Sequence, residues 1–255
     1  MSAPLHPSLD PALFGEPSAR DARFTVVDVW ADCANLPLDD PRKKQEFLHR
    51  QMNEEACVME NAARSLAEFT EEDWSIRMWL ARQCHDEARH VMNYRKLFVE
   101  RGGQVGEFPV LGFQYRVLGK VDTLIGRLGV QNRTFEADGL DAVTHAIEEA
   151  REEGDLALAA MYEAQQADEV LHIRFANEWI RQRVTESPRE AIRMGSALHK
   201  AAKAFTQTFA NGGTNVSKYG VAEEPRQEAG FVPEEVEVAV RMSDVRRAAV
   251  RGSGS

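Results

Sequence analysis

Asp86-Glu87-Ala88-Arg89-His90 and Asp168-Glu169-Val170-Leu171-His172 are two copies of one pattern, Asp-Glu-x-x-His, each inside a long stretch of helical periodicity. Residues three apart on an α-helix lie about 60° apart around its axis, so the Glu and His of each copy share a face. Both can reach one cation, and the carboxylate keeps an oxygen free to bridge towards a second. An acidic residue precedes each copy at nearly the same distance: Glu55 lies 32 residues before Glu87, and Glu136 lies 33 before Glu169. That distance is one antiparallel helix pair, used twice. A single E-x-x-H arises easily by chance in an acidic helix; a repeat with matched upstream acids does not. Four carboxylates and two imidazoles from four helices are the ligand set of a carboxylate-bridged di-iron or di-manganese site.

Outward from these motifs the chain reads as all-α. A first helix is expected after Asp39-Asp40-Pro41, running to about Phe69. Thr70-Glu71-Glu72-Asp73 matches a capping box opening a second helix, which ends near Arg101 before Gly102-Gly103. Residues 104–116, rich in glycine, proline and aromatics, make a crossover. The third helix spans roughly 117–137, bends at Asp138-Gly139 and continues to about Glu153; the fourth runs from about Asp155 to Val184. Ser187-Pro188 starts a fifth that ends before Gly212-Gly213, and a short helix is expected near 233–249. Five of the ten prolines lie in residues 1–40, and the β-type run Phe24–Trp30 reads as a short strand or packed coil. No strand pattern elsewhere competes. The organisation expected is an extended arm (1–40), a helical bundle (41–210) and a C-terminal tail (211–255).

Composition narrows the function classes. A formal charge of -10 without a compensating basic stripe speaks against nucleic acid or anionic membrane as a partner. The three cysteines lack metal-ligand spacing and read as small thiols in a reducing cytoplasm. Neither a signal-peptide pattern nor a membrane-spanning apolar run is evident.

Helical phase chooses among the acids. Leu48, Met52, Met59, Ala62 and Leu66 lie within about 60° of Glu55, whereas Glu54 and Glu60 fall at or beyond the edges of that apolar stripe. Glu55 is therefore the expected ligand, with Glu60 as the alternative if a π-bulge turns it inward. Glu136 has a mixed surround that includes Asn132 and Arg133, and the repeat spacing selects it. Asp86 and Asp168 stand one step round from the ligands, where a carboxylate can hold a metal-bound imidazole. Gln83 and Gln165 occupy equivalent places one turn before each motif Glu; with Tyr94 and Tyr162, two turns away, they are candidate pocket residues. His49, His145 and His199 fit no repeat and read as surface or capping residues.

Taken together, Leu48-His49 followed by Glu55 and Glu60, both Asp-Glu-x-x-His motifs, Arg133-Thr134-Phe135-Glu136-Ala137-Asp138-Gly139-Leu140-Asp141, and the late Arg226-Gln227-Glu228-Ala229-Gly230-Phe231 resemble the ferritin-like di-iron superfamily. Within it the chain is similar, over about residues 45–237, to a bacterial family of unassigned function distantly related to the tRNA-modifying di-iron hydroxylases. That family often has a histidine two positions before the first acid; here Asn53 stands there. The resemblance implies a ferritin-like four-helix bundle with a long crossover, an N-terminal arm and extra C-terminal helices. It also implies Glu55, Glu87, His90, Glu136, Glu169 and His172 as catalytic ligands of two Fe ions or a Mn/Fe pair, with O2 as co-substrate. The activity expected is oxidation of a small-molecule substrate, with an external electron donor or reductase as partner and homodimer formation open. A ferroxidase, a tRNA-modifying hydroxylase and a non-catalytic helical scaffold are the alternatives.

Overall fold

A computed structural model describes residues 5–33, 36–37, 39–210 and 220–252, with side chains up to residue 245. The described chain is mainly helical and divides into two compact units: Met1–Arg127 with Arg193–Gly213, and Leu128–Ile192 with Thr214–Ser255.

The first unit is built on α2 (Lys43–Glu68) and α3 (Trp74–Glu100). They run antiparallel: Gln45 Nε2 reaches the Arg101 carbonyl (2.6 Å), Glu55 meets His90, and Arg77 meets the Leu66 carbonyl (3.1 Å). The apolar stripe of α2 is enclosed, with Leu48, Met52, Val58 and Ala62 all buried. The expected capping box does not form. α3 starts at Trp74, Asp73 makes no side-chain cap bond, and Thr70 Oγ1 instead faces Glu71. Arg77, in the first turn of α3, donates to the Leu66 and Phe69 carbonyls that end α2 (3.1 and 3.0 Å) and so shapes the turn.

The arm is more ordered than its prolines suggested. A two-residue strand, β1 (Val26–Val27), pairs in parallel with β2 (Val110–Leu111) from the connecting segment, after the four-residue α1 (Trp30–Cys33) has set out from β1. Nothing local announces β2, since two residues carry no alternation to read. Arg116, on the short α4 (Phe113–Leu118), pairs with Asp28 at 2.9 Å and bonds the Gly15 carbonyl, pinning arm to crossover. Gly106 has φ +93°, and a Cβ there would sit 2.3 Å from the Arg23 carbonyl oxygen, so this turn requires glycine. α8 (Arg189–Phe209) adds Phe205 and Phe209, which pack on Phe113, with Phe209 also against Trp30.

The second unit repeats the antiparallel pair with α6 (Ala137–Glu152) and α7 (Leu156–Glu186). Arg151 meets Glu163, Thr144 meets Gln166, and Asn132 meets the His172 carbonyl. The expected single third helix is broken: α5 (Leu124–Val130) follows α4 after a turn, and Gln131–Glu136 is π-helical before α6 begins. The irregularity thus lies before Asp138-Gly139, not at it; Gly139 is helical and faces open space. Two C-terminal helices, the unanticipated α9 (Glu223–Glu228) and α10 (Pro233–Gly252), complete the unit. Arg226 forms a two-pronged ion pair with Asp141 (2.9 and 2.7 Å) and reaches Asp138 (3.1 Å), while Phe231 lies under both Arg133 and Arg226. The Arg226–Phe231 stretch is therefore a clamp on α6. Among the described residues no helix is long and apolar enough to cross a membrane.

Candidate metal-binding triads

In the first unit, α2 contributes Glu55 while α3 contributes Glu87 and His90. Glu87 and His90 share a face because they are one helical turn apart, and the antiparallel packing of α2 brings Glu55 opposite them. His90 Nδ1 lies 3.0 Å from Glu87 Oε2 and 3.3 Å from Glu55 Oε2. All three residues are buried, at 7% exposure or less. In the second unit, the π-helical segment delivers Glu136 and α7 delivers Glu169 and His172, again all buried. His172 Nδ1 faces Glu169 Oε2 at 3.8 Å. Within each triad one donor atom per residue lies within 4.8 Å of the others.

Metal–ligand bonds of about 2.1 Å at right angles place neighbouring donor atoms about 3.0 Å apart. His90 Nδ1 already stands near that spacing from both of its carboxylates, and His172 Nδ1 stands wider from Glu169. Two ionised carboxylates 4.8 Å apart repel by about 3.5 kcal/mol at an effective dielectric near 20. A divalent cation between them turns that repulsion into attraction. Two carboxylates and one imidazole make an oxygen-rich donor set, which suits iron or manganese better than copper or a thiolate-seeking metal.

The remaining expected residues are placed as follows. Glu60 is turned to Arg20, whose guanidinium pairs with it at 2.6 Å and also donates to Asn53 Oδ1 (2.9 Å) and Cys57 Sγ (3.4 Å). Asn53 thereby has a structural task, since its amide also donates to the Leu111 carbonyl at 3.0 Å. Asp86 is buried and receives Arg82 and Arg89 from its own helix (3.3 and 3.2 Å), with His85 Nδ1 at 3.5 Å. Asp168 is half-buried. Tyr94 and Tyr162 are buried, each in the same helix as its motif. Gln83 Nε2 approaches Glu87 Oε1 at 3.5 Å, and Gln165 Nε2 approaches Glu169 Oε1 at 3.4 Å.

Two residues escaped the reading of the sequence. Asn132 donates to Glu136 Oε2 (3.1 Å) and to the His172 carbonyl (3.2 Å), tying the π-helical segment to α7; its place four before Glu136 matches Gln83 and Gln165 and was the available signal. His49 is no surface or capping side chain: it is fully enclosed, ringed by Phe24, Phe98 and Phe108, and its Nε2 accepts the Gly106 N–H at 2.8 Å. Burial pushes its imidazole down to about 4, so it stays neutral. Burial likewise pushes the Cys33 and Cys57 thiols up to about 12, leaving them unreactive.

No curated protein and no solved structure matches this chain. Residues 8–237 match the family described as protein of unknown function (DUF455), and the chain belongs to that family.

Proposed function

We propose that this protein is a non-haem di-iron oxygenase or oxidase, built on a ferritin-like four-helix bundle (41–210) with an N-terminal arm and a C-terminal tail. The carrying observation is the repetition of one chemical unit: each helix pair brings two buried carboxylates and a histidine Nδ1 together, with the motif Glu presenting Oε2 to that nitrogen in both. Glu55, Glu87, His90, Glu136, Glu169 and His172 hold two ions in this reading, with Glu87 or Glu169 among the bridging groups. Glu55 is preferred over Glu60 because Arg20 already occupies the latter.

When bound, an iron pair or a manganese–iron pair supplies the reduction of O2 that oxidises an organic substrate. The chain's own residues hold the carboxylates and imidazoles in place, and the enclosing apolar side chains exclude water. Insertion of one oxygen atom into a substrate requires two further electrons and two protons, and the chain carries no flavin or nicotinamide fingerprint. An external donor or reductase therefore completes the reaction unless the substrate itself supplies those two electrons. The formal net charge of -10 favours a small molecule over tRNA.

Anaerobic Fe(II) loading followed by stopped-flow mixing with O2 tests this reading. An oxygenase oxidises about two Fe(II) per chain and stops. Sustained oxidation of excess Fe(II) into a ferric core, with no organic substrate, refutes it in favour of a ferroxidase.

A further inference from the structure

Each motif glutamate has a carboxamide four residues before it on the same helix face, and in both repeats the contacts divide the carboxylate in the same way. Glu87 Oε1 faces Gln83 Nε2 at 3.5 Å while its Oε2 faces His90 Nδ1 at 3.0 Å. Glu169 Oε1 faces Gln165 Nε2 at 3.4 Å while its Oε2 faces His172 Nδ1 at 3.8 Å. Glu136 repeats the spacing with Asn132, whose amide donates to Oε2 at 3.1 Å. Gln51 stands four residues before Glu55 as well, but is only half-buried. Gln83, Gln165 and Asn132 are all buried, where an amide is costly to keep unless it is used.

We propose that Gln83 and Gln165 are positioning residues that set how the motif carboxylates bind metal, with Asn132 doing the same for Glu136. This rests on the two-metal reading above. A glutamate bound through Oε2 alone leaves Oε1 to the carboxamide N–H. A glutamate that chelates, or bridges two ions, shares the electrons of Oε1 with the metal and weakens its bond to that donor. At 3.4–3.5 Å the bonds stand at the far end of hydrogen-bond range, so they bias the carboxylate without locking it. Gln83 and Gln165 thus hold one oxygen in reserve on each side, and release it when the metal demands a second bond. The i,i+4 spacing supplies the reach, since side chains one turn apart lie about 5–6 Å apart at Cβ.

The test uses the full chain and Mn(II) or anaerobic Fe(II) as the probe. Gln83→Met and Gln165→Met keep side-chain length and remove the donor; Gln83→Asn keeps the amide but shortens its reach. Metal-free thermal unfolding of each variant establishes that it folds. Two readouts follow: the rate of metal loss into excess chelator, and the separation of the antisymmetric and symmetric carboxylate stretches in metal-minus-apo infrared spectra. The Met variants are expected to shift the rate of metal loss by about tenfold or more, and the carboxylate splitting should narrow as a freed Oε1 joins the metal. Gln83→Asn should share both changes in smaller measure, which a side chain serving only to fill space would not produce. Variants that bind two Mn(II) with the parent's release rate and infrared bands overturn this inference and leave the two-metal reading standing. A parent protein that binds no metal overturns both. If the Met variants do not fold, Gln83→Asn alone decides by the same two readouts.

Discussion

Replacing Glu55 with glutamine should raise the stability of the metal-free protein and blunt the further stabilisation that metal gives. In the metal-free protein, Glu55 and Glu87 bring buried carboxylate oxygens within 4.8 Å, a repulsion of about 3.5 kcal/mol at an effective dielectric near 20. Glu55→Gln removes one charge and keeps the shape, so apo stability should rise by up to that amount, about 10 °C in Tm for a chain of this size. The same change removes a ligand. Parent protein at a hundred times the metal dissociation constant should gain about 2.7 kcal/mol from one site, and the variant should lose most of that gain. Glu60→Gln is the control: it strips Arg20 of a partly buried partner, so it should destabilise with or without metal and leave the metal response intact. Guanidinium denaturation in EDTA and in Mn(II), for parent and both variants, reads all six values. If Glu55→Gln weakens the apo protein and Glu60→Gln abolishes the Mn(II) response, Glu60 is the ligand and the placement of Glu55 is wrong.

Further expectations concern the frame around the triads. His49 has its pKa lowered from 6.5 to about 4 in the folded state, so its unfolded form takes up a proton first; stability is full above pH 6.5 and falls by about 3 kcal/mol as pH drops towards 4. In EDTA, comparing His49→Gln with the parent at pH 7 and pH 4.5 should show a shallower loss in the variant; equal slopes would place the proton elsewhere. Arg226→Met should cost about 3–5 kcal/mol in urea unfolding by leaving Asp141 buried without its two-pronged partner, and Arg226→Met with Asp141→Leu should recover much of it. Native protein should alkylate at Cys84, which is partly exposed, and not at Cys33 or Cys57; prompt modification of all three would contradict the burial described.

What the sequence made legible follows from which rule governed each segment. α2, α3 and α7 are regular α-helices, so a fixed turn of about 100° per residue found the inner face: Glu55 is buried, Glu60 is turned to Arg20, and Glu87 and Glu169 lie beside their histidines. At Glu136 the same rule gave a mixed surround, because Gln131–Glu136 is π-helical and each π turn takes up an extra residue. α2 stays α-helical past Glu60, and the π-helical segment lies before α6 instead. Helix starts were legible where proline or aspartate set them, as at Asp155, whose side chain accepts the Leu158 N–H. At Thr70 the expected start fails: α3 begins at Trp74 without a side-chain cap, and Arg77 donates to the carbonyls that end α2. Long-range pairings such as β1 with β2, Arg226 with Asp141 and His49 with Gly106 join residues with no local pattern to announce them.

If the repeated triads bind two metal ions, the metal content of the protein shows it. Protein purified after anaerobic Fe(II) loading and desalting should carry about two iron ions per chain by elemental analysis, falling to one or fewer on Glu87→Ala or Glu169→Ala. A chain that retains no iron, or that holds a single zinc ion whatever metal is supplied, would contradict it.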